Sequence, residues 1–129
     1  MTPIWIETEV VLAIHDEQLA EHGGAVGIRD RVMLDSVLDR PQDRYDLGVC
    51  TDLCELAACY AFGLARNHAF LDGNKRVSAV VTELFLAING YEVTAADDDV
   101  VWTWTAIAAA EMTEEDITAW IRRFASASP

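Results

Sequence analysis

Apolar residues recur three and four positions apart through most of this chain, so helices are its expected building unit. Val11, Ile14 and Leu19 make one stripe, opened by Thr8 as a cap and closed after His22 by Gly23-Gly24. Val32, Met33, Leu34, Val37 and Leu38 predict a short second helix behind a capping Asp30, with Pro41 following its end. Residues 41–50, PQDRYDLGVC, read as a loop. Thr51 is the expected cap of a third helix carrying Leu53, Leu56, Ala57, Tyr60, Ala61 and Leu64. The chain breaks around 67–73. Val77, Val80, Val81, Leu84, Phe85 and Ile88 then predict a fourth helix, stopped by Asn89-Gly90. Its valines favour strands, but the length and the 3.6 period favour a helix.

Two further helices are expected, over about 97–111 and 113–125. Thr113 with Asp116 resembles a capping box at the start of the last one. Extended pieces at 3–6 and 91–94 are expected to pair, and the tryptophans to fill the core between the last helices. The fold class is therefore mainly α: a single-domain helical bundle over 1–129, with its core at about 4–125 and a short accessory β element.

Composition narrows the class. A chain of 129 residues with 52% hydrophobic content is expected to fold as one domain. No apolar run is long enough to cross a bilayer. The start, MTPIWIETEV, lacks the basic-then-apolar order of a signal peptide, so a cytoplasmic location is expected. The odd set Cys50, Cys54 and Cys59 argues against a disulfide framework, and no further ligands stand nearby at metal-site spacing. Buried structural thiols are the expectation. A net charge of −13 repels phosphate backbones and argues against general nucleic-acid binding.

One segment departs from that acidic background. Within 66-RNHAFLDGNKRVSA-79, residues 66–76 hold Arg66, Lys75 and Arg76 against a single acid, Asp72. A local positive site on an acidic body suits a small anionic ligand. The segment leads into the fourth helix, whose first N–H groups lack intrahelical partners and carry partial positive charge. Gly73 lets a ligand approach the backbone, Arg76 can grip two phosphate oxygens, and Lys75 supplies a point charge. Asp72 would repel phosphate alone, and Mg²⁺ resolves the conflict because it takes a carboxylate together with phosphate oxygens. The competing reading is that Asp72 caps the helix.

His68 suits a general base, or else a structural loop histidine. Phe70 is expected to turn inward as an anchor. Asn74 either fixes the loop through backbone bonds or contacts phosphate. Arg66 either pairs with the acidic surface or reaches the phosphates. His15, near an apolar stripe, reads as a hydrogen-bonded core histidine outside the cluster, and His22 suits a helix C-terminus. Lys75 is the only lysine beside eight arginines.

The run His68-Ala-Phe-Leu-Asp-Gly-Asn-Lys-Arg76 resembles the motif of the Fic/Doc superfamily, and is closer to its Doc branch, the death-on-curing toxins of bacterial toxin–antitoxin pairs. The likeness extends to 14-IHDEQLAEHGGAVGIRD-30, to FLAINGY at 85–91 and to Ala-Trp-Ile-Arg at 119–122, so it spans about 4–123. The resemblance implies a Fic/Doc-type helical bundle. It makes His68 the activator of a target hydroxyl, Asp72 the Mg²⁺ ligand, and Gly73, Asn74, Lys75 and Arg76 the ATP phosphate site. Ala69 replaces a frequent proline.

Fic adenylyltransferases carry glycine in place of Lys75 and a second arginine in place of Ala79. Doc-like proteins hold the nucleotide reversed and transfer the γ-phosphate. The resemblance thus implies a type II toxin, a protein kinase acting on elongation factor Tu to halt translation, and a small Phd-like antitoxin as partner. The Fic self-inhibiting motif is absent, since no Glu is followed by Gly or Asn. Loop 41–50 stands where the superfamily has a target-docking flap, which makes Arg44 and Tyr45 candidate target contacts. The alternatives are a Fic-type AMP or nucleotidyl transferase, and an antitoxin-binding module of weak catalysis. A metal-binding bundle through His68 and Asp72 leaves Lys75 and Arg76 without purpose.

Overall fold

A computed structural model describes residues 2–129. The described chain forms six helices and one two-stranded sheet: α1 (Thr8–His22), α2 (Arg31–Asp46), α3 (Leu53–Arg66), α4 (Asn74–Ile88), β1 (Tyr91–Val93), α5 (Asp97–Ala108), α6 (Glu114–Phe124) and β2 (Ala125–Ala127). The expected mainly α fold with a small β element is the one observed. None of these helices is long and apolar enough to cross a membrane.

Helix α3 is the centre. Its sequence LCELAACYAFGLAR buries nine residues, and it packs against α2, α4, α5 and α6. A helix apolar nearly all round is stable only when neighbours cover it. The many small residues let those neighbours come close: a Cβ on Gly63 would lie 2.8 Å from Val37 Cγ1 of α2. Leu56, Tyr60 and Leu64 meet Val81 and Phe85 of α4 and Ile117 and Ile121 of α6 in one continuous core.

Several local expectations are corrected. Glu7 and Asp52, not Thr8 and Thr51, stand at the N-caps of α1 and α3. The Asp52 carboxylate accepts from Cys54 N–H, whereas no side chain caps α1. Helix α2 does not stop before Pro41 but runs through it to Asp46. An interior proline costs about 3 kcal/mol through a lost hydrogen bond and a clash. Tertiary contacts hold the helix on both sides of it: Arg40 reaches the Glu114 carboxylate at 2.6 Å, Arg44 lies 3.8 Å from it, and Tyr45 packs edge-on against Trp5. The turn begins only at Leu47-Gly48, where Gly48 has φ 72°. Arg44 and Tyr45 therefore sit on a helix rather than on a flap loop.

The sheet is also paired differently. β1 runs antiparallel to β2, with Tyr91 opposite Ala127 and Val93 opposite Ala125. Residues 3–6 form no strand and do not join it. The Asn89 amide takes a strand's place there, accepting from Ile4 N–H at 2.8 Å and donating to Ile4 C=O at 3.0 Å. The expected capping box is present, with Thr113 and Asp116 bonding each other's main-chain N–H. Trp104 fills the core beside Trp120 and donates to Ser78 Oγ at 2.8 Å, but Trp102 is 73% exposed.

All three cysteines are free; Cys50 and Cys59 are buried and Cys54 is partly so. Cys50 precedes α3, so it shares no helix face with Cys54. Burial pushes the Cys50 and Cys59 thiols up to about 11 and raises Cys54 as well. The thiolate is the reactive form, so the two buried sites hold on the order of 100-fold less of it near neutral pH. Alkylation of the native protein near neutral pH is therefore expected to be slow and to become rapid in denaturant, as counted by intact mass. Rapid labelling of Cys50 or Cys59 in the native state would contradict this packing.

Asp52 gives a second linkage. Burial pushes its carboxyl up, but the Arg122 guanidinium at 2.6 Å and the Cys54 N–H outweigh that and hold it below the usual carboxylate range. A depressed carboxyl stabilises the fold above its unfolded pKa, and that share is lost as pH falls below about 4. The pair is well exposed, so the effect is small.

Candidate active site

The motif occupies the connection between α3 and α4, the two helices that share the largest interface. Asn67 closes α3, its side chain donating to Gly63 C=O at 3.0 Å. His68 follows with φ 49°, a left-handed conformation that costs a non-glycine residue roughly 1–2 kcal/mol. Its side chain is exposed. Ala69 and Phe70 turn inward and are buried. Leu71 and Asp72 return to the surface, and Gly73, at φ 82°, opens α4.

The segment before α2 braces this loop. Ala69 C=O accepts from the N–H groups of Arg29 (2.8 Å) and Asp30 (3.0 Å), and Leu71 N–H donates to Gly27 C=O at 3.1 Å. Ile28 and Phe70 form the isolated bridge between those bonds. The Arg29 side chain adds Nε–H to His68 C=O at 2.6 Å and Nη2–H to Asn67 C=O at 3.2 Å. The strained histidine is thus held through its own carbonyl.

Asn74 fixes the loop through main-chain bonds, one of the two roles expected of it. Its side chain accepts from Phe70 N–H and donates to Phe70 C=O, both at 3.0 Å. One amide N–H and the amide oxygen are thereby engaged in clasping the loop, and the Asn74 main-chain N–H faces the start of the helix as a phosphate donor. Phe70 is the anchor expected of it, stacked on His15 with 3.9 Å between ring centroids.

Asp72 does not cap α4. Gly73 stands at that position, and no side chain caps the helix. The Asp72 carboxylate accepts from Gly73 N–H at 2.9 Å and from Ala25 N–H at 3.2 Å. The helix consequently starts with Gly73 C=O accepting from Val77, and the N–H groups of Asn74, Lys75 and Arg76 precede that first bond.

His68, Asp72, Gly73, Asn74, Lys75 and Arg76 all line one open cleft of about 330 Å³, with Leu71, Ala65 and Ala108 as apolar walls. Arg44 and Tyr45 are not among its lining residues. Lys75 Nζ lies 3.4 Å from Thr105 Oγ1 of α5. Among the described residues neither Lys75 nor Arg76 is paired with a carboxylate, whereas Arg31, Arg40, Arg44 and Arg122 are. Arg66 lies over the Phe62 ring, 5.0 Å from its centroid.

In a chain of net charge −13, two cations without acidic partners at a helix N-terminus are suited to hold an anion. Asp72 is the one carboxylate in that cleft, and no cluster of three or more potential protein ligands exists among the described residues. This donor set fits Mg²⁺, which binds through one or two carboxylates together with substrate phosphates, better than an ion needing a full protein cage.

Three contributors escape a sequence reading. His15 is buried, as a core histidine should be, yet its Nε2 lies 3.0 Å from Asp72 C=O, inside the cluster. Arg29 and Ala25 reach the loop from about 40 residues upstream. Nothing local marks these contacts, which arise because α1 and the α1–α2 connection pack against the motif. The only available signal was the shared pattern around Ile14-His15 and Gly27-Ile-Arg-Asp30.

The Fic/DOC family model matches residues 5–86. "Protein kinase doc" of Escherichia phage P1 is 36% identical over 88 residues, covering 68% of this chain and 70% of that protein. "Toxin Doc" of Mycolicibacterium smegmatis is 43% identical over 79 residues, covering 60% of each chain.

Proposed function

This chain belongs to the Fic/DOC family, and from that footing we propose that it is a Doc-type toxin. In this reading it is a protein kinase that moves the γ-phosphate of ATP onto a hydroxyl of a translation factor, elongation factor Tu by resemblance. The observation that carries the proposal is the single cleft in which two unpaired cations, a helix N-terminus, an exposed carboxylate and an exposed histidine meet.

Phosphoryl transfer asks a protein for position and charge compensation more than for covalent chemistry. The main-chain N–H groups at the start of α4 bind phosphate oxygens, and Arg76 holds two of them. Asp72 is the residue that would hold Mg²⁺, which supplies charge neutralisation on the phosphates. His68 takes the proton of the target hydroxyl through a ring nitrogen as that oxygen bonds the γ-phosphorus. The bond to the β,γ-bridging oxygen breaks, and ADP leaves. Lys75 fills the turn where an α-phosphate pose needs room, and Ala79, one helical turn on, offers no second guanidinium. Both favour γ- over α-transfer.

The target has an apolar approach. Val26 is 79% and Leu71 54% exposed, and Gly27 packs against the Leu71 side chain. This rim is a further candidate target contact, in addition to Arg44 and Tyr45 on α2. Neutralisation falls to a separate antitoxin, Phd-like by resemblance.

Preincubating elongation factor Tu with the protein and Mg²⁺·ATP, then adding it to a translation reaction, tests the reading. Inhibition that requires both ATP and Mg²⁺ in the preincubation is expected. Translation at the untreated rate would overturn the kinase-toxin assignment.

A further inference from the structure

We propose that His15 is a positioning residue that locks the Asp72–Gly73 peptide in the orientation that binds metal and nucleotide. The inference rests on the reading of Asp72 as the Mg²⁺ ligand.

The peptide between Asp72 and Gly73 has two ends with different tasks. Its oxygen faces His15 Nε2 at 3.0 Å. Its N–H donates to Asp72 Oδ1 at 2.9 Å. A carbonyl oxygen only accepts, so Nε2 carries the proton. One ring nitrogen thus fixes the peptide oxygen, and through the same rigid plane fixes the N–H that aims the carboxylate.

Gly73 is the reason such a lock is needed. At φ 82° and without a side chain, it gives the peptide unusual freedom to rotate. A rotated peptide would turn its oxygen toward the carboxylate and the anion site, and its N–H away. Asp72 itself is exposed, and besides this peptide only the Gly24-Ala25 backbone restrains its carboxylate. His15 can hold the peptide because it is itself held. It is 3% exposed, stacks on Phe70 at an interplanar angle of 15°, and Phe70 is clasped by Asn74. A Cβ on Gly73 would lie 3.6 Å from His15 Cδ2, so the ring also forms the floor beneath the turn. His15 touches no cleft surface, so its effect is transmitted wholly through Asp72 and Gly73.

Outer residues that hold a metal ligand in place typically govern 10–100-fold in metal affinity. Calorimetric titration of Mg²⁺ into the full-length protein with a non-hydrolysable ATP analogue reads this without any target. His15→Leu, which keeps apolar volume but removes the donor, is expected to weaken Mg²⁺-dependent binding about 10-fold or more. His15→Gln, which keeps a donor at the Nε2 position, is expected to restore most of it. Asp72→Asn calibrates the scale. If Asp72→Asn has no effect, the metal-site reading fails. If Asp72→Asn abolishes the Mg²⁺ dependence while His15→Leu binds like wild type, the positioning proposal is overturned. Equal loss in His15→Leu and His15→Gln would also overturn it, because packing alone would then explain the effect. Nitrogen NMR of the wild-type imidazole stands apart from whether any variant folds. It should show His15 protonated at Nε2, with that signal shifting on addition of Mg²⁺ and the analogue. A bare Nε2 would overturn the proposal.

Discussion

His68→Ala is expected to lower phosphoryl transfer by about 10²–10⁴-fold, the range for loss of a positioned general base. Growth arrest on expression without the antitoxin should disappear with it. The variant should still fold. The His68 ring is exposed, and the residue's structural bond runs through its main-chain oxygen to Arg29, which alanine keeps. Stability is therefore expected to change by no more than about 1 kcal/mol, since alanine bears much the same left-handed backbone cost that histidine already bears. Thermal melting beside the transfer assay separates the two effects. Equal growth arrest by wild type and His68→Ala would mean that toxicity does not run through this histidine.

The second large effect falls on Asn74, and it should be one of stability. Removing its amide deletes two 3.0 Å hydrogen bonds and leaves the N–H and C=O of Phe70 without their partners. Each unsatisfied buried group costs about 1–3 kcal/mol, so Asn74→Ala is expected to destabilise the protein by about 2–4 kcal/mol. For a chain of this size that is a fall in Tm on the order of 10 °C. Amide exchange should quicken first at Phe70 and Leu71, where the loop would open locally. Asn74→Asp should recover little, since a carboxylate can still accept from Phe70 N–H but cannot donate to Phe70 C=O. A variant that melts like wild type yet loses nucleotide affinity would make Asn74 a phosphate ligand, contrary to the bonds its side chain makes.

These two residues also show what the sequence could and could not convey. The α4 boundaries were legible because local chemistry determines them: Gly73 in a left-handed conformation opens the helix, and Asn89-Gly90 closes it. The positions of His68, Asp72, Lys75 and Arg76 around one cleft follow from that start. The extent of α2 was not legible. Proline ends helices by local rules, and here Arg40, Arg44 and Tyr45 hold the helix on both sides of Pro41 through partners far away in sequence. The pairing of β1 with Ala125-Ser126-Ala127 was equally hidden, because those residues have weak strand propensity and gain their conformation from the end of α6. His15 looked like an ordinary core histidine. Its burial was predictable, but its bond to Asp72, 57 residues away, was not.

Lys75 carries the sharpest functional consequence of the motif. It is the chain's only lysine, it sits in the first turn of α4, and it reaches across to Thr105 on α5. Under the proposed function, that is the place where it would crowd the α-phosphate pose and leave the γ-phosphate to be transferred. ATP labelled separately on its α and γ phosphates, incubated with this protein, Mg²⁺ and elongation factor Tu, tests this most directly. The account predicts protein-bound label from the γ position alone, absent with His68→Ala; protein-bound label from the α position alone would contradict it.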